Sequence, residues 1–131
     1  MNGYVINIEQ ETRENEMFRK VLYTARNCQL VVMCLRPGEE IGEEVHRLDQ
    51  FLRFEMGTGK VVIDGSEHPV ADGVAVIVPA GARHNVVNTS DAGDLKLYTI
   101  YSPPEHRDGV VHRTKANAEA DAEHFDGATT E

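Results

Sequence analysis

The sequence predicts an all-β sandwich or barrel, and two observations carry that prediction. Short apolar runs recur along most of the chain, and clusters of Gly, Pro, Asn and Asp separate them. Runs spaced about ten residues apart with turn-forming residues between them are typical of antiparallel β architectures. At 131 residues, the chain fits one domain, large enough to bury a core without disulfide bonds.

Eight segments are predicted to be strands, in chain order Tyr4–Ile8, Phe18–Thr24, Leu30–Leu35, Phe51–Met56, Lys60–Ile63, Ala75–Val78, His84–Asn88 and Leu95–Tyr101. Gly57-Thr58-Gly59 separates the fourth from the fifth. Because glycine adopts positive φ without cost, this triplet predicts a short hairpin between those two strands.

Helical structure is expected in two places only. The acidic segment Glu9–Glu16 predicts a turn of helix or a loose connection. The alanine-rich segment Thr114–His124 is a good helix former by propensity, and it has no wide apolar stripe, so a surface helix is expected there. A frayed end is expected from Asp126 onward.

Charge and hydropathy exclude several classes of partner. The formal net charge of −9 argues against nucleic acid and against an anionic membrane surface. No apolar stretch reaches the roughly 18 residues of a membrane span, and the first residues lack the pattern of a signal peptide. We therefore expect a cytoplasmic protein whose partner is a small molecule or another protein.

Two polar clusters offer metal-binding side chains. Glu44 and His46 alternate along one segment and Gln50 follows, while His84 comes directly after a Pro/Gly turn that ends an apolar run. One carboxylate, two imidazoles and one amide make a plausible ligand set for a single divalent metal.

The residues around His84 carry a resemblance to a known family. The pattern G-x5-P-x-G-x2-H-x3-N is met in full, by Gly73, Pro79, Gly81, His84 and Asn88. It is similar to the second signature motif of the cupin superfamily of small β-barrel proteins.

The first cupin motif, G-x5-H-x-H-x3,4-E-x6-G, is met in part. Gly38, His46 and Gly57 stand at their expected positions. Glu44 replaces the usual first histidine and Gln50 replaces the usual glutamate. The ligand set therefore keeps one negative charge, which moves from the glutamate position to Glu44.

The resemblance implies a cupin-type double-stranded β-helix, a jelly-roll barrel with a short C-terminal helical tail. It places the barrel core at residues 29–101, N-terminal strands and an arm at residues 1–28, and the tail at residues 102–131. In particular the chain resembles single-domain bacterial cupins described as mannose-6-phosphate isomerase-like. Family precedent also implies a homodimer.

The resemblance further implies one divalent metal, Zn, Fe, Mn or Ni, bound by Glu44, His46, Gln50 and His84. Such an ion acts as a Lewis acid on a carbonyl or hydroxyl. This favours isomerisation or another proton transfer on a small sugar or sugar acid, with either a metal-bound hydroxide or Glu44 itself as the base. Two alternatives stay open: an Fe(II)-dependent dioxygenase, because two histidines and one carboxylate match the facial triad, and a sugar-binding barrel without catalysis.

Two arginines are candidates for binding an anionic substrate. Arg83 precedes His84, and Arg53 lies on the strand that follows Gln50. The alternative for Arg83 is an exposed charge at the rim of the barrel. The tail histidines His106, His112 and His124 could form a second metal or phosphate site, but scattered histidines are usually exposed or packed at a subunit contact. We expect that simpler role for them.

Overall fold

The structure is a computed structural model that describes residues 1–131. It contains two helices and ten strands. The helices are α1 (Ile8–Glu14) and α2 (Lys115–Glu119). The strands are β1 (Arg19–Thr24), β2 (Gln29–Leu35), β3 (Glu44–Val45), β4 (Asp49–Met56), β5 (Thr58–Ile63), β6 (Ser66–Ala71), β7 (Ala75–Val78), β8 (Arg83–Asn88), β9 (Leu95–Ser102) and β10 (Val111–His112).

The strands form two antiparallel sheets, which confirms the predicted jelly-roll barrel. One sheet has the order β10-β1-β2-β9-β4-β7 and the other has the order β3-β8-β5-β6. Side chains at alternating positions of β2 and β4, such as Met33, Leu35, Leu52 and Phe54, are fully buried in one hydrophobic cluster. The larger sheet takes in β1 and β10, which lie outside the predicted core of residues 29–101.

The predicted hairpin at Gly57 is wrong. β4 pairs with β7 and β9, whereas β5 pairs with β6 and β8, so the chain changes sheet at this point. A Cβ atom on Gly57 would lie 2.2 Å from the carbonyl oxygen of Asp94, and its φ is +92°. The glycine is therefore required by a close backbone approach as well as by its conformation.

The predicted strand Tyr4–Ile8 is also wrong. Residues up to Asn7 form no regular element, and α1 begins at Ile8. The Asn7 side chain accepts a hydrogen bond from the backbone N–H of Gln10, which is a helix N-cap. This cap starts the helix that the acidic segment predicted, and α1 packs against the larger sheet.

Two further strands and the end of the tail differ from expectation. β6 carries polar residues and Pro69, which an edge strand tolerates. β10 pairs with β1 and forms one edge of the larger sheet. α2 ends at Glu119, earlier than the predicted helix, and the chain then continues in an irregular path. Neither helix is long and apolar enough to cross a membrane.

Candidate metal centre

Two strands of the smaller sheet bring the predicted ligands together. Glu44 on β3 lies directly opposite His84 on β8. His46 follows two residues after Glu44, and its ring centroid lies 5.1 Å from that of His84. Residues opposite each other on antiparallel strands project from the same face, so pairing of β3 with β8 builds the cluster.

The three side chains could hold a metal ion. The ligand atoms of Glu44, His46 and His84 all lie within 4.8 Å of one another, and Glu44 Oε2 is 3.7 Å from His46 Nε2. Ligands about 2.1 Å from one ion lie at most about 4.2 Å apart. Small side-chain rotations would therefore bring all three to bonding distance.

Each of the two histidines has an Nε2 atom that makes no hydrogen bond. His84 Nδ1 lies 3.0 Å from the carbonyl oxygen of Ala82, which can only accept, so this nitrogen carries the proton. Nε2 of His84 and Nε2 of His46 are buried without any hydrogen-bond partner. Buried imidazole nitrogens with no protein partner fit metal ligation, because the ion would satisfy them.

Gln50 adds a further unpartnered atom on β4. Its side chain is buried, and its amide Nε2 donates to Thr99 Oγ1 at 3.0 Å. The Thr99 hydroxyl in turn donates to the carbonyl oxygen of Phe51, so it must accept from the amide and thereby fixes the orientation of Gln50. The amide oxygen Oε1 is left buried without a partner, and its role as a ligand stays a prediction. Asp49 is exposed and accepts from the N–H of Ala80.

The charges of the cluster depend on one another. Burial by itself would raise the pKa of the Glu44 carboxyl, but the neighbouring His46 and the charge of Arg19 outweigh it and hold the pKa below its ordinary value. Burial by itself would lower the pKa of His46, but the carboxylates of Glu44 and Glu105 raise it above its ordinary value. Glu44 is therefore ionised at neutral pH, as a metal ligand must be.

The two arginines proposed for substrate binding each pair with a carboxylate that is not part of this cluster. Arg83 is exposed and pairs with Glu43 at 2.5 Å. Arg53 pairs with Glu55 at 3.1 Å, and its position on β4 is on the face opposite to Gln50. No contact in the structure tests their binding role, which stays a prediction.

Three residues near the site were missed from sequence. Tyr101 lies edge-on to His46, with ring centroids 5.9 Å apart, and burial raises its pKa, so the phenol is neutral. Glu105 Oε2 is 3.7 Å from His46 Nδ1. Arg19 is buried at the start of β1. Tyr101 had a usable signal, because it alternates with the inward-facing Leu95 and Leu97, and Arg19 alternates with Val21 in the same way.

The expectation that the tail histidines are exposed or lie at a subunit contact is wrong for two of the three. His106 and His112 are buried within the chain, while His124 is exposed. Nδ1 of His106 donates to Glu123 at 2.6 Å, and Nε2 of His112 donates to Asp121 at 3.0 Å. Both carboxylates come from the segment after α2, so the tail packs back on the barrel through these pairs.

Comparison with known proteins agrees with this architecture. The model of the cupin domain matches residues 31–101. An uncharacterised Bacillus subtilis protein, YrkC, is 46% identical over 124 residues, which are 89% of this chain and 66% of that protein. An uncharacterised protein of Acanthamoeba polyphaga mimivirus is 40% identical over 113 residues, 82% of this chain and 70% of that protein.

A solved structure is similar over nearly the whole chain. The crystal structure of BH2720 from Bacillus halodurans superposes with a TM-score of 0.89 and 45% sequence identity, and the match covers 92% of this chain and 96% of that one. The barrel, the second motif and the cluster of one carboxylate and two histidines thus lead to the same conclusion. The chain belongs to the cupin family.

Proposed function

We propose that this cupin binds one divalent metal, Zn, Fe, Mn or Ni, through Glu44, His46, Gln50 and His84, and acts on a small sugar or sugar acid. The observation that carries the proposal is the group of buried atoms without hydrogen-bond partners, namely Nε2 of both histidines and Oε1 of Gln50. Leaving three such atoms unpaired in a core costs about 1–3 kcal/mol each. One bound cation would satisfy all of them.

The chemistry follows from what such an ion supplies. A divalent metal polarises a carbonyl or hydroxyl oxygen and stabilises the negative charge that develops on it. The Glu44 side chain is about one-third exposed, at 34%, so it is accessible from solvent as well as from the cluster. We infer that Glu44 binds the ion and is the candidate base for proton transfer next to a carbonyl.

The isomerase assignment comes from the resemblance to mannose-6-phosphate isomerase-like cupins. The metal cluster supports it, because a bound metal would supply a Lewis acid and Glu44 a candidate base for moving the proton. A homodimer and a cytoplasmic location stay predictions.

Solvent exchange tests the proposed reaction. Protein loaded with Zn, Mn or Ni would be incubated in D2O with a panel of aldoses, ketoses and sugar acids and followed by NMR. We expect metal-dependent deuterium incorporation next to the carbonyl of at least one compound, lost in Glu44→Gln and kept in the exposed control His124→Ala. Stoichiometric metal and sugar binding without exchange would instead indicate a binding barrel without catalysis.

A dioxygenase is the second candidate function. The observation that favours it is the composition of the cluster, two histidines and one carboxylate, which is the facial triad of non-haem Fe(II) oxygenases. In this case Gln50 binds weakly or not at all. Anaerobic Fe(II) loading followed by oxygen uptake with the same compounds separates the candidates, since turnover with Zn or Mn but none with Fe(II) excludes oxygenation.

A further inference from the structure

His46 lies between two carboxylates, and only one of them belongs to the metal cluster. Glu44 Oε2 is 3.7 Å from Nε2 of the ring, and Glu105 Oε2 is 3.7 Å from Nδ1. Both carboxylates are partly exposed, whereas the imidazole side chain between them is 9% exposed. Each nitrogen of the ring therefore faces its own carboxylate.

The position of the ring proton decides whether His46 can bind a metal. A neutral imidazole carries its proton on one nitrogen, and only the other nitrogen has the lone pair that a metal needs. Nε2 faces Glu44 and has no hydrogen-bond partner, so it is the candidate ligand atom. The proton must then lie on Nδ1, which faces Glu105. Glu105 is thus placed where an acceptor for that proton is required.

His84 meets the same requirement with a different group. Its Nδ1 lies 3.0 Å from the carbonyl oxygen of Ala82, which keeps the proton away from Nε2. Nδ1 of His46 makes no hydrogen bond within the chain, and Glu105 is the one carboxylate within 4.0 Å of it. Metal-binding histidines almost always donate their second N–H to a carboxylate, a backbone carbonyl or water, which fixes the ring and raises its basicity.

The loop that carries Glu105 is fixed by buried hydrogen bonds. Gln29, at the start of β2, is fully buried, and its amide oxygen accepts from the backbone N–H groups of Glu105 and His106, at 3.3 and 2.9 Å. The carbonyl oxygen of Glu105 accepts from the N–H of Phe125 at 2.9 Å. The Glu105 carboxylate itself makes no hydrogen bond, and its one ion-pair contact is with His46. The fold therefore holds the backbone of Glu105 in place and leaves its carboxylate available to His46.

We propose that Glu105 is a positioning residue of the metal centre, which accepts the Nδ1 proton of His46 and thereby presents Nε2 to the metal. The inference rests on the proposed metal site and adds to it a residue that follows the segment matched by the cupin model, residues 31–101. The separation of 3.7 Å exceeds the length of a charge-assisted hydrogen bond, about 2.7–2.9 Å, so a side-chain rotation of Glu105 closes it. A carboxylate acceptor also makes the imidazole a stronger donor to the ion.

The metal affinity of matched variants tests the inference. Zn²⁺ binding by wild type, Glu105→Ala and Glu43→Ala would be measured in competition with a chelator of known affinity. Both variants remove one negative charge, but Glu43 is exposed and pairs with Arg83. We expect Glu105→Ala to weaken Zn²⁺ binding at least about tenfold, as loss of a supporting residue does. Glu43→Ala should change it less than about threefold, because exposed charges interact weakly across water.

The tautomer of His46 gives a readout that a merely structural role would not change. Long-range ¹H–¹⁵N NMR of the metal-free protein at alkaline pH distinguishes a proton on Nδ1 from one on Nε2. We expect His46 to carry it on Nδ1 in wild type and increasingly on Nε2 in Glu105→Ala, while His84 stays unchanged. Glu105→Gln keeps an acceptor oxygen, so His46 should stay protonated at Nδ1, and Zn²⁺ affinity should lie between those of wild type and Glu105→Ala.

The outcomes separate this inference from the proposed function. Wild-type protein that binds none of the four metals refutes the metal site itself. Metal binding by wild type, with equal affinities in Glu105→Ala and Glu43→Ala or with an unchanged His46 tautomer in Glu105→Ala, overturns the role of Glu105 alone. If Glu105→Ala does not fold, protonation of wild-type His46 at Nε2, or an affinity of Glu105→Gln equal to that of wild type, refutes the proposal.

Discussion

Two pairs of histidines in this barrel are buried alike and bonded differently. His46 and His84 each keep an Nε2 that no protein group satisfies. His112 has a partner at both nitrogens, Arg19 and Asp121, whereas His106 is bonded at Nδ1 to Glu123 and also keeps an Nε2 without a partner. The first pair lies in the two motif segments, with His84 on β8 and His46 just after β3, whereas the second pair is bonded to carboxylates of the tail.

The difference teaches how to separate a ligand from a structural histidine. A buried nitrogen that a carboxylate already occupies contributes to stability through that bond, and its loss should be measured as stability. Buried nitrogens without a partner that lie close together beside a carboxylate, as those of His46 and His84 do beside Glu44, are unfavourable until an ion binds them, and their loss should be measured as binding. Variants of the two pairs should therefore affect different observables.

The largest expected effect is loss of the metal from the motif pair. His46→Ala and His84→Ala should each reduce metal affinity at least 100-fold, because each removes a direct ligand where even loss of a supporting residue costs about 10–100-fold. Metal content of untagged, purified protein by elemental analysis measures this. The exposed control His124→Ala should retain the metal, and full retention in either motif variant would remove that histidine from the site.

The tail pair should instead affect stability. Glu123 accepts from His106 Nδ1 and from the backbone N–H of Arg107, and its side chain is 2% exposed. Glu123→Gln should reduce the free energy of unfolding by about 1–3 kcal/mol, because it leaves buried donors poorly paired. Urea denaturation measures the loss, and unchanged metal content would confirm that the two pairs have separate roles.

The same carboxylate gives a dependence on pH. Burial by itself would raise the pKa of Glu123, but the hydrogen bonds from His106 and Arg107 outweigh it and hold the pKa below its ordinary value. A lowered pKa in the folded state stabilises the protein above the ordinary glutamate pKa of about 4.3, and that stabilisation is lost as pH falls below it. Between pH 7 and pH 4, wild type should therefore lose more stability than Glu123→Gln, whereas equal losses would show that this carboxylate is not linked to folding.

Gln50 should have a smaller effect on the metal than the histidines. Gln50→Met removes the amide oxygen with little change of volume, and we expect metal affinity to fall about tenfold, since a neutral amide is the weakest of the four donors. Competition with a chelator of known affinity measures it. An unchanged affinity would favour the three-ligand site and with it the dioxygenase.

The smallest effect should come from Asp121. Its side chain is 42% exposed, and its bond to His112 is therefore weakened by solvent. Asp121→Asn should cost about 0.5 kcal/mol of stability, well below the effect of Glu123→Gln in the same denaturation assay. If Asp121→Asn cost as much as Glu123→Gln, the solvent exposure of the two carboxylates would not determine how much each contact stabilises the fold.

The contrast between the regions also separates what the sequence could predict from what it could not. Alternating apolar residues and Gly/Pro turns predict most strands, and the spacing of Pro79, Gly81 and His84 predicts where an imidazole enters the barrel. These signals are local. Gln50, and not its neighbour Asp49, points into the barrel, which follows from alternation once the strand is known.

Features that depend on contacts between residues far apart in the sequence could not be predicted. The segment after α2 has high helix propensity, but it leaves the helix where Asp121 and Glu123 bind His112 and His106. The alternation at Tyr4–Ile8 resembles a strand, yet the cap at Asn7 starts a helix. Arg19 belongs to no motif, and only the fold reveals that it is buried and hydrogen-bonded to His112.

Anomalous diffraction from crystals of the metal-loaded protein tests the central claim most directly. The account predicts a single peak in the barrel, bonded at about 2.0–2.3 Å to a Glu44 oxygen and to Nε2 of both His46 and His84. An empty cluster at saturating metal, or a peak at His106 or His112 instead, would contradict it.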